Sequence, residues 1–115
     1  MISRALIEKL LAFRADRDWE QFHNLRTLST SIVLEAAELA EFSQWAKDEE
    51  LDGIVEARRQ EIEHEVADLA ILLTYLANDL GIDVEAAVAR KLELNGRRYP
   101  VEKAKGTARK YDKLD

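Results

Sequence analysis

Apolar residues return at helical spacing along most of this chain. Leu6, Ile7, Leu10, Leu11 and Phe13 predict a first helix over roughly residues 2–16. The stretch DRDWEQFHN breaks that period with mixed aromatic and polar residues, and reads as a loop or short turn. A second periodic run predicts a helix from about Leu25 to Trp45, followed by the acidic connection KDEELDG. A third, long helix is expected from about Ile54 to Leu80, with Gly81 as its C-cap. Asp83 is placed to cap a fourth helix that runs to about Arg98, and Pro100 stops it. The final stretch, VEKAKGTARKYDKLD, is basic and is expected to be irregular. No run alternates apolar and polar residues as a half-buried strand would. The pattern predicts an all-α, four-helix bundle-like fold in one domain over residues 1–115.

Two of these helices carry carboxylates on the face that should be buried. With Glu35 as the reference direction, Leu28, Ile32, Leu39 and Phe42 lie within about 60° of it. Glu38 lies about 60° to the other side, beside Phe42 and Trp45. The opposite face holds Thr30, Ala37, Glu41 and Gln44. The third helix repeats the arrangement. Ile62, Leu69, Leu72 and Leu76 surround Glu65, and Asp68 sits beside Leu72 and Tyr75. Glu61 and Arg58 lie near this stripe, while Glu63, Ala67, Ala70 and Thr74 form the other side. Each helix thus presents an acidic pair at i, i+3 within an apolar stripe. If the stripes pack together, Glu35, Glu38, Glu65 and Asp68 converge, at high cost unless neutralised.

Charge makes that cost harder to meet from within. Residues 1–85 hold 8 Lys/Arg against 19 Asp/Glu, a net −11, whereas residues 86–115 hold 9 against 4, a net +5. An acidic body with a basic tail disfavours nucleic-acid binding by the body, and suits cations at one end with an anionic ligand at the other. Near the stripes the available bases are Arg58 and Arg26, too few for four carboxylates. A divalent cation is the other solution. The chain has no Cys and two His, so an all-oxygen donor set suits Mg²⁺, with Mn²⁺ as an alternative. The competing reading places these carboxylates at the boundary, reaching into solvent. Glu61-x-x-His64 has the spacing of a di-iron carboxylate site, but such a site needs a second Glu-x-x-His on another helix. Glu20 and His23 fall in the aromatic break instead, so His64 reads as a surface histidine.

Several function classes drop out. Gly53, Gly81, Gly96 and Gly106 have no phosphate-loop or dinucleotide-binding spacing. Without Cys there is no disulfide or thiol nucleophile. The N-terminal MISRALIEKLLAFRADRDW spreads charge throughout, unlike a signal peptide, and no apolar run is long enough to span a bilayer. A cytoplasmic protein with no membrane partner is the expectation.

The segments EAAELAEFSQW, EIEHEVADLAILLTYLANDLGID and KLELNGRRYP resemble the all-α nucleoside triphosphate pyrophosphohydrolases of the MazG-like superfamily, and most of all its dCTP pyrophosphatase branch. The likeness runs from RDWEQFH to ARKY. E-x-x-E with E-x-x-D is moderately specific alone, and strong together with DWEQFH and K-x-x-x-N-x-R-R-Y-P. The resemblance implies that Glu35, Glu38, Glu65 and Asp68 hold Mg²⁺. It implies that Trp19, Glu20, Gln21, Phe22 and His23 approach the base and sugar, that Trp45 lines the base pocket, and that Lys91, Asn95, Arg98 and Tyr99 lie near the phosphates. It also implies cleavage between the α and β phosphates, and a homodimer or homotetramer with sites built between subunits. One departure bears on base and sugar selectivity: where the dCTP branch has tyrosine, four residues after Asp68, this chain has Leu72.

The residues make chemical sense of that activity. A polyanionic triphosphate cannot approach clustered carboxylates without a cation between them. No side chain is placed as a covalent nucleophile beside a base, so water is the nucleophile and Glu38 the expected general base. Read without the resemblance, Trp19 and Trp45 fit equally as core aromatics, His23 as a loop histidine, Lys91 and Arg98 as cations at a helix C-terminus, and Tyr99 as part of a helix stop. The reading from another class is a non-catalytic helical oligomer, an interaction module with structural acidic clusters.

Overall fold

A computed structural model describes residues 2–115. Every regular element among the described residues is helical. They form two compact units, Ile2–Gly81 and Ile82–Asp115, taken in turn below.

In the first unit, α1 (Arg4–Asp16) begins at Ser3, whose hydroxyl accepts from the Leu6 N–H at 3.2 Å. The chain then turns at Asp18, which adopts φ 54°, a left-handed conformation that Asp tolerates better than most residues. The Gln21 amide donates to the Asp18 carboxylate at 2.9 Å and to its carbonyl at 3.0 Å, which fixes the turn. Glu20–Phe22 make one tight helical turn. Next, α2 (Leu25–Glu41) opens with a reciprocal cap. Asn24 Oδ1 accepts from the Thr27 N–H at 2.9 Å, and the Thr27 hydroxyl accepts from the Asn24 N–H at 3.0 Å. The same hydroxyl donates to the Phe22 carbonyl at 2.7 Å, so the cap also anchors the aromatic turn before it.

Two helix boundaries differ from the periodic reading. The second helix stops at Glu41, short of the expected Trp45. Beyond it the backbone tightens, with Ser43 N–H on the Ala40 carbonyl and Ala46 N–H on the Ser43 carbonyl, both i→i−3. The expected long third helix is two helices, α3 (Leu51–Ala57) and α4 (Arg59–Leu80). The break is at Arg58, with φ −112° and ψ 21°. Its guanidinium pairs with Glu61, three residues on, and sits 5.1 Å from the centre of the Phe42 ring. No Gly or Pro marks this break, so nothing local announces it. At the other end, α4 closes on Gly81 at φ 67°, as expected of a left-handed cap.

α4 is the element that the unit is built around. It packs mainly against α2, and α1 and α3 also touch it. Leu28 on α2 is 1% exposed, a burial worth about 1.5–3 kcal/mol. Tyr75 and Ala77 are buried on α4, and the Tyr75 hydroxyl donates to the Leu10 carbonyl of α1 at 2.8 Å. Thr74, assigned by periodicity to the polar side, is buried as well. Its hydroxyl is satisfied by the Ala70 carbonyl at 2.7 Å. The one-stripe reading underestimates a helix that receives neighbours on more than one side.

In the second unit, α5 (Val84–Arg98) is capped by the Asp83 carboxylate, which accepts from the Ala86 N–H at 3.1 Å. It ends at Tyr99, before Pro100, as expected. The tail is more ordered than its composition suggests. A short α6 (Val101–Ala104) and a tight turn at Tyr111–Lys113 follow. The Tyr111 ring meets Tyr99 edge-on at 6.2 Å and lies 4.4 Å under the Arg98 guanidinium. Those aromatic and cation–π contacts order a segment whose charge alone would leave it solvated.

The α2 cap carries a stability prediction. Asn24→Ala should lower the unfolding free energy by about 1 kcal/mol in urea titration. An unchanged midpoint would show that the Thr27 half of the cap suffices.

Candidate functional site

The packing of α2 on α4 brings three of the four expected carboxylates together. Glu35 and Glu38 from α2 and Glu65 from α4 each offer an oxygen, and these oxygens lie within 4.8 Å of one another. Glu35 Oε2 and Glu65 Oε2 are secluded from solvent and have no hydrogen-bond partner. Glu38 is the exposed member. Asp68, one helical turn beyond Glu65, is exposed and does not join them at that distance.

Such crowding has an electrostatic signature. The Glu65 carboxyl is pushed up to about 7, first by its contact with Glu35, then by desolvation and by Glu38. Like charges this close cannot all stay ionised unless something compensates them. Orphaned carboxylate oxygens and a donor set of oxygen alone fit a hard divalent cation such as Mg²⁺. Neither histidine belongs to the group, so a di-iron Glu/His site is not assembled among the described residues.

Beside the carboxylates lies a cavity of about 420 Å³, lined by Glu38, Glu41, Phe42, Arg58 and Glu65. Glu41 was assigned to the opposite face of its helix. It is the last residue of α2 and lines the cavity beside Glu38 and Phe42. Arg58 and Phe42 were both visible on the stripes, but as packing and charge partners rather than as a cavity wall.

The aromatic segment divides its roles. Trp19 is half exposed, with its ring edge-on to Phe13 at 5.7 Å. Glu20, Gln21 and Phe22 are exposed in their turn. His23 is turned inward: its Nδ1 lies 3.2 Å from an Arg14 nitrogen, and its ring 5.4 Å from the Tyr75 ring. Trp45 is 89% exposed, which removes the core-aromatic reading for it. Leu72 is half-buried on α4. Lys91, Asn95 and Arg98 recur at helical spacing on α5 in the second unit, and Tyr99 caps that helix.

The buried Arg14 is the polar residue that the sequence reading missed. It is 4% exposed and makes a two-pronged ion pair with Asp79, both contacts at 2.8 Å. Asp79 holds the guanidinium firmly protonated, and Arg14 in turn holds the Asp79 carboxyl below its usual range. No i, i+4 relation joins the two in sequence, so nothing local announces the pair.

The description "MazG-like family" fits residues 30–114. The chain belongs to the MazG-like family. It is 41% identical over 104 residues to human dCTP pyrophosphatase 1, covering 89% of this chain and 61% of that protein. Bovine dCTP pyrophosphatase 1 is 42% identical over 104 residues, covering 89% of this chain and 62% of that one. The chain thus spans less than two thirds of the length of these relatives. Among solved structures, a pyrophosphatase from Archaeoglobus fulgidus superposes with a TM-score of 0.81 at 39% identity, over 84% of this chain and 90% of that chain. The all-α fold expected of a MazG-like protein is the one observed. No helix of this MazG-like chain is long and apolar enough to cross a membrane among the described residues.

The carboxylate group makes a pH prediction for this MazG-like protein. Glu65 titrates near 4.5 when unfolded and at about 7 when folded. Its proton therefore favours the folded state. That contribution is complete below about pH 4.5 and is lost as pH rises through about 7. In chelator, wild-type Tm should fall relative to Glu65→Gln between about pH 5 and 8. Adding Mg²⁺ at the upper end should restore it. A Tm difference that stays flat with pH would mean the carboxylates do not crowd in solution.

Proposed function

We propose that this MazG-like chain is a Mg²⁺-dependent nucleoside triphosphate pyrophosphohydrolase. Its substrate is dCTP or a modified relative, and its products are the monophosphate and pyrophosphate. The observation that carries this reading is the group of three carboxylates with two orphaned oxygens, beside a cavity open to solvent. The names of the relatives, dCTP pyrophosphatase 1 and a pyrophosphatase, support the reaction class.

Glu35, Glu38 and Glu65 would hold Mg²⁺ or Mn²⁺, with Asp68 as the proposed fourth ligand. When bound, the cation neutralises the triphosphate and polarises its phosphoryl oxygens. Glu38 is the exposed member of the three, free to accept a proton from the attacking water. The water oxygen bonds to the α-phosphorus as the bond to the α–β bridging oxygen breaks, and that oxygen leaves on pyrophosphate. Lys91, Asn95, Arg98 and Tyr99 are the proposed phosphate contacts, and the cations among them suit the charge of the leaving group. The exposed face of Trp45 offers a stacking surface for a planar base, with Trp19 and Phe22 as further aromatic candidates. Glu20, Gln21 and His23 are the polar candidates for base and sugar, and Leu72 weakens discrimination among bases. The role is removal of surplus or modified nucleotides in the cytoplasm, with no nucleic-acid or membrane partner.

The chain would act as a homodimer or homotetramer. Val33 and Leu34 on α2 and Val66 and Leu73 on α4 are exposed, leaving apolar surface on both site-bearing helices.

A pyrophosphate-release assay over a nucleotide panel, with and without Mg²⁺, tests the reaction. Activity should vanish with chelator and favour pyrimidine deoxynucleotides. Glu38→Gln and Asp68→Asn should each lose at least about 100-fold in turnover. Trp45→Ala should raise KM about tenfold with kcat retained. Near-wild-type rates in both acidic variants would remove the assigned site. Assembly is read by light scattering: a dimer or tetramer is expected at micromolar concentration, and a monomer would exclude shared sites.

A further inference from the structure

His23 is held by groups that leave it one hydrogen-bonding choice. Arg14 is buried, donor-only and permanently charged. One terminal nitrogen of Arg14 donates to Asp79 Oδ2 at 2.8 Å and also lies 3.2 Å from His23 Nδ1. The other donates to Asp79 Oδ1 at 2.8 Å. The two-pronged pair fixes the guanidinium plane, and the Tyr75 ring packs against it at 4.6 Å. Tyr75 is itself fixed by its hydrogen bond to Leu10, and its ring meets the His23 ring at 5.4 Å. Ring plane and Nδ1 partner are therefore both set by buried groups.

A guanidinium N–H can meet Nδ1 productively only if Nδ1 is an acceptor. The ring then carries its proton on Nε2, which makes no hydrogen bond among the described residues. We propose that Arg14 and Asp79 are positioning residues that lock His23 as a neutral Nε2–H donor, aimed at an acceptor oxygen of the nucleoside. This rests on the reading of His23 as a substrate contact.

The charges around the ring agree. Arg14 from α1 and desolvation disfavour the imidazolium, while Asp79 from α4 and Glu20 from the preceding turn favour it. The balance lowers the His23 pKa, burial contributing most. Tyr75 faces the ring as a neutral phenol, its own pKa raised by burial.

The first test needs no variant. Long-range ¹H–¹⁵N spectra of the wild-type enzyme at pH 7 should show a bare His23 Nδ1 and a protonated Nε2. A protonated Nδ1 overturns the proposal. The kinetic test replaces both ends of the ion pair, Arg14→Met with Asp79→Leu, so that neither charge is left buried alone. This pair should lose about tenfold in kcat/KM, the scale of one hydrogen bond. In a His23→Ala background the same pair should cost nothing further, because its effect passes through His23. An equal loss in both backgrounds means the ion pair is structural and overturns the proposal. If the double variant does not fold, Arg14→Lys is compared in the two backgrounds on the same criterion. No hydrolysis of any nucleotide by the wild type would instead overturn the functional reading, and the tautomer spectrum would still decide the lock.

Discussion

Three carboxylates that repel one another are kept together by apolar packing of α2 against α4. Buried Leu28 on α2 and half-buried Leu69, Leu72 and Leu76 on α4 are apolar residues available to that packing, and Glu35, Glu38 and Glu65 oppose it. The helices therefore meet in a state that favours a proton on Glu65. The same opposition explains why the acids recur at i, i+3. One acid on a boundary face can reach water, but pairs on two facing helices cannot all do so. A crowded acidic group is thus written into the interface that also folds the unit.

α4 serves two purposes along its length. Glu65 lies in its first half, while Tyr75 and Asp79 lie toward its end. Glu65 and Asp79 are separated by about 21 Å of helix axis. The first end crowds carboxylates, and the second is neutralised by a buried arginine. α2 reads the first end through its glutamates, and α1 reads the second through Arg14 and the Leu10 carbonyl. The aromatic turn carrying His23 is tied to both neighbours, through Arg14 on one side and the Thr27 cap on the other.

Much of this was legible in the sequence because it depends on period and on caps. Asp83, Gly81 and Pro100 announce helix ends by backbone chemistry that needs no tertiary context, and the acidic pairs announce themselves by falling on apolar stripes. What was hidden depends on contacts between distant residues. The break falls at Arg58, which pairs with Glu61 and lies over Phe42, without a helix breaker in the sequence. The Arg14–Asp79 pair joins residues far apart in sequence, and Thr74 is buried although periodicity sets it opposite the acidic stripe. Asp68 has the spacing of its partners yet stays outside their group, since spacing sets a direction and not a reach.

The early end of α2 leaves Trp45 standing almost wholly in water. The other indole, Trp19, is half covered and leans on Phe13. The protein thereby carries an optical reporter of its own. An indole in water emits toward the red, and its emission moves to the blue when apolar groups cover it. Of the two indoles, Trp45 has the more surface left to cover, so the fluorescence of the unmodified chain is sensitive to any group that packs on it, without a label and without turnover.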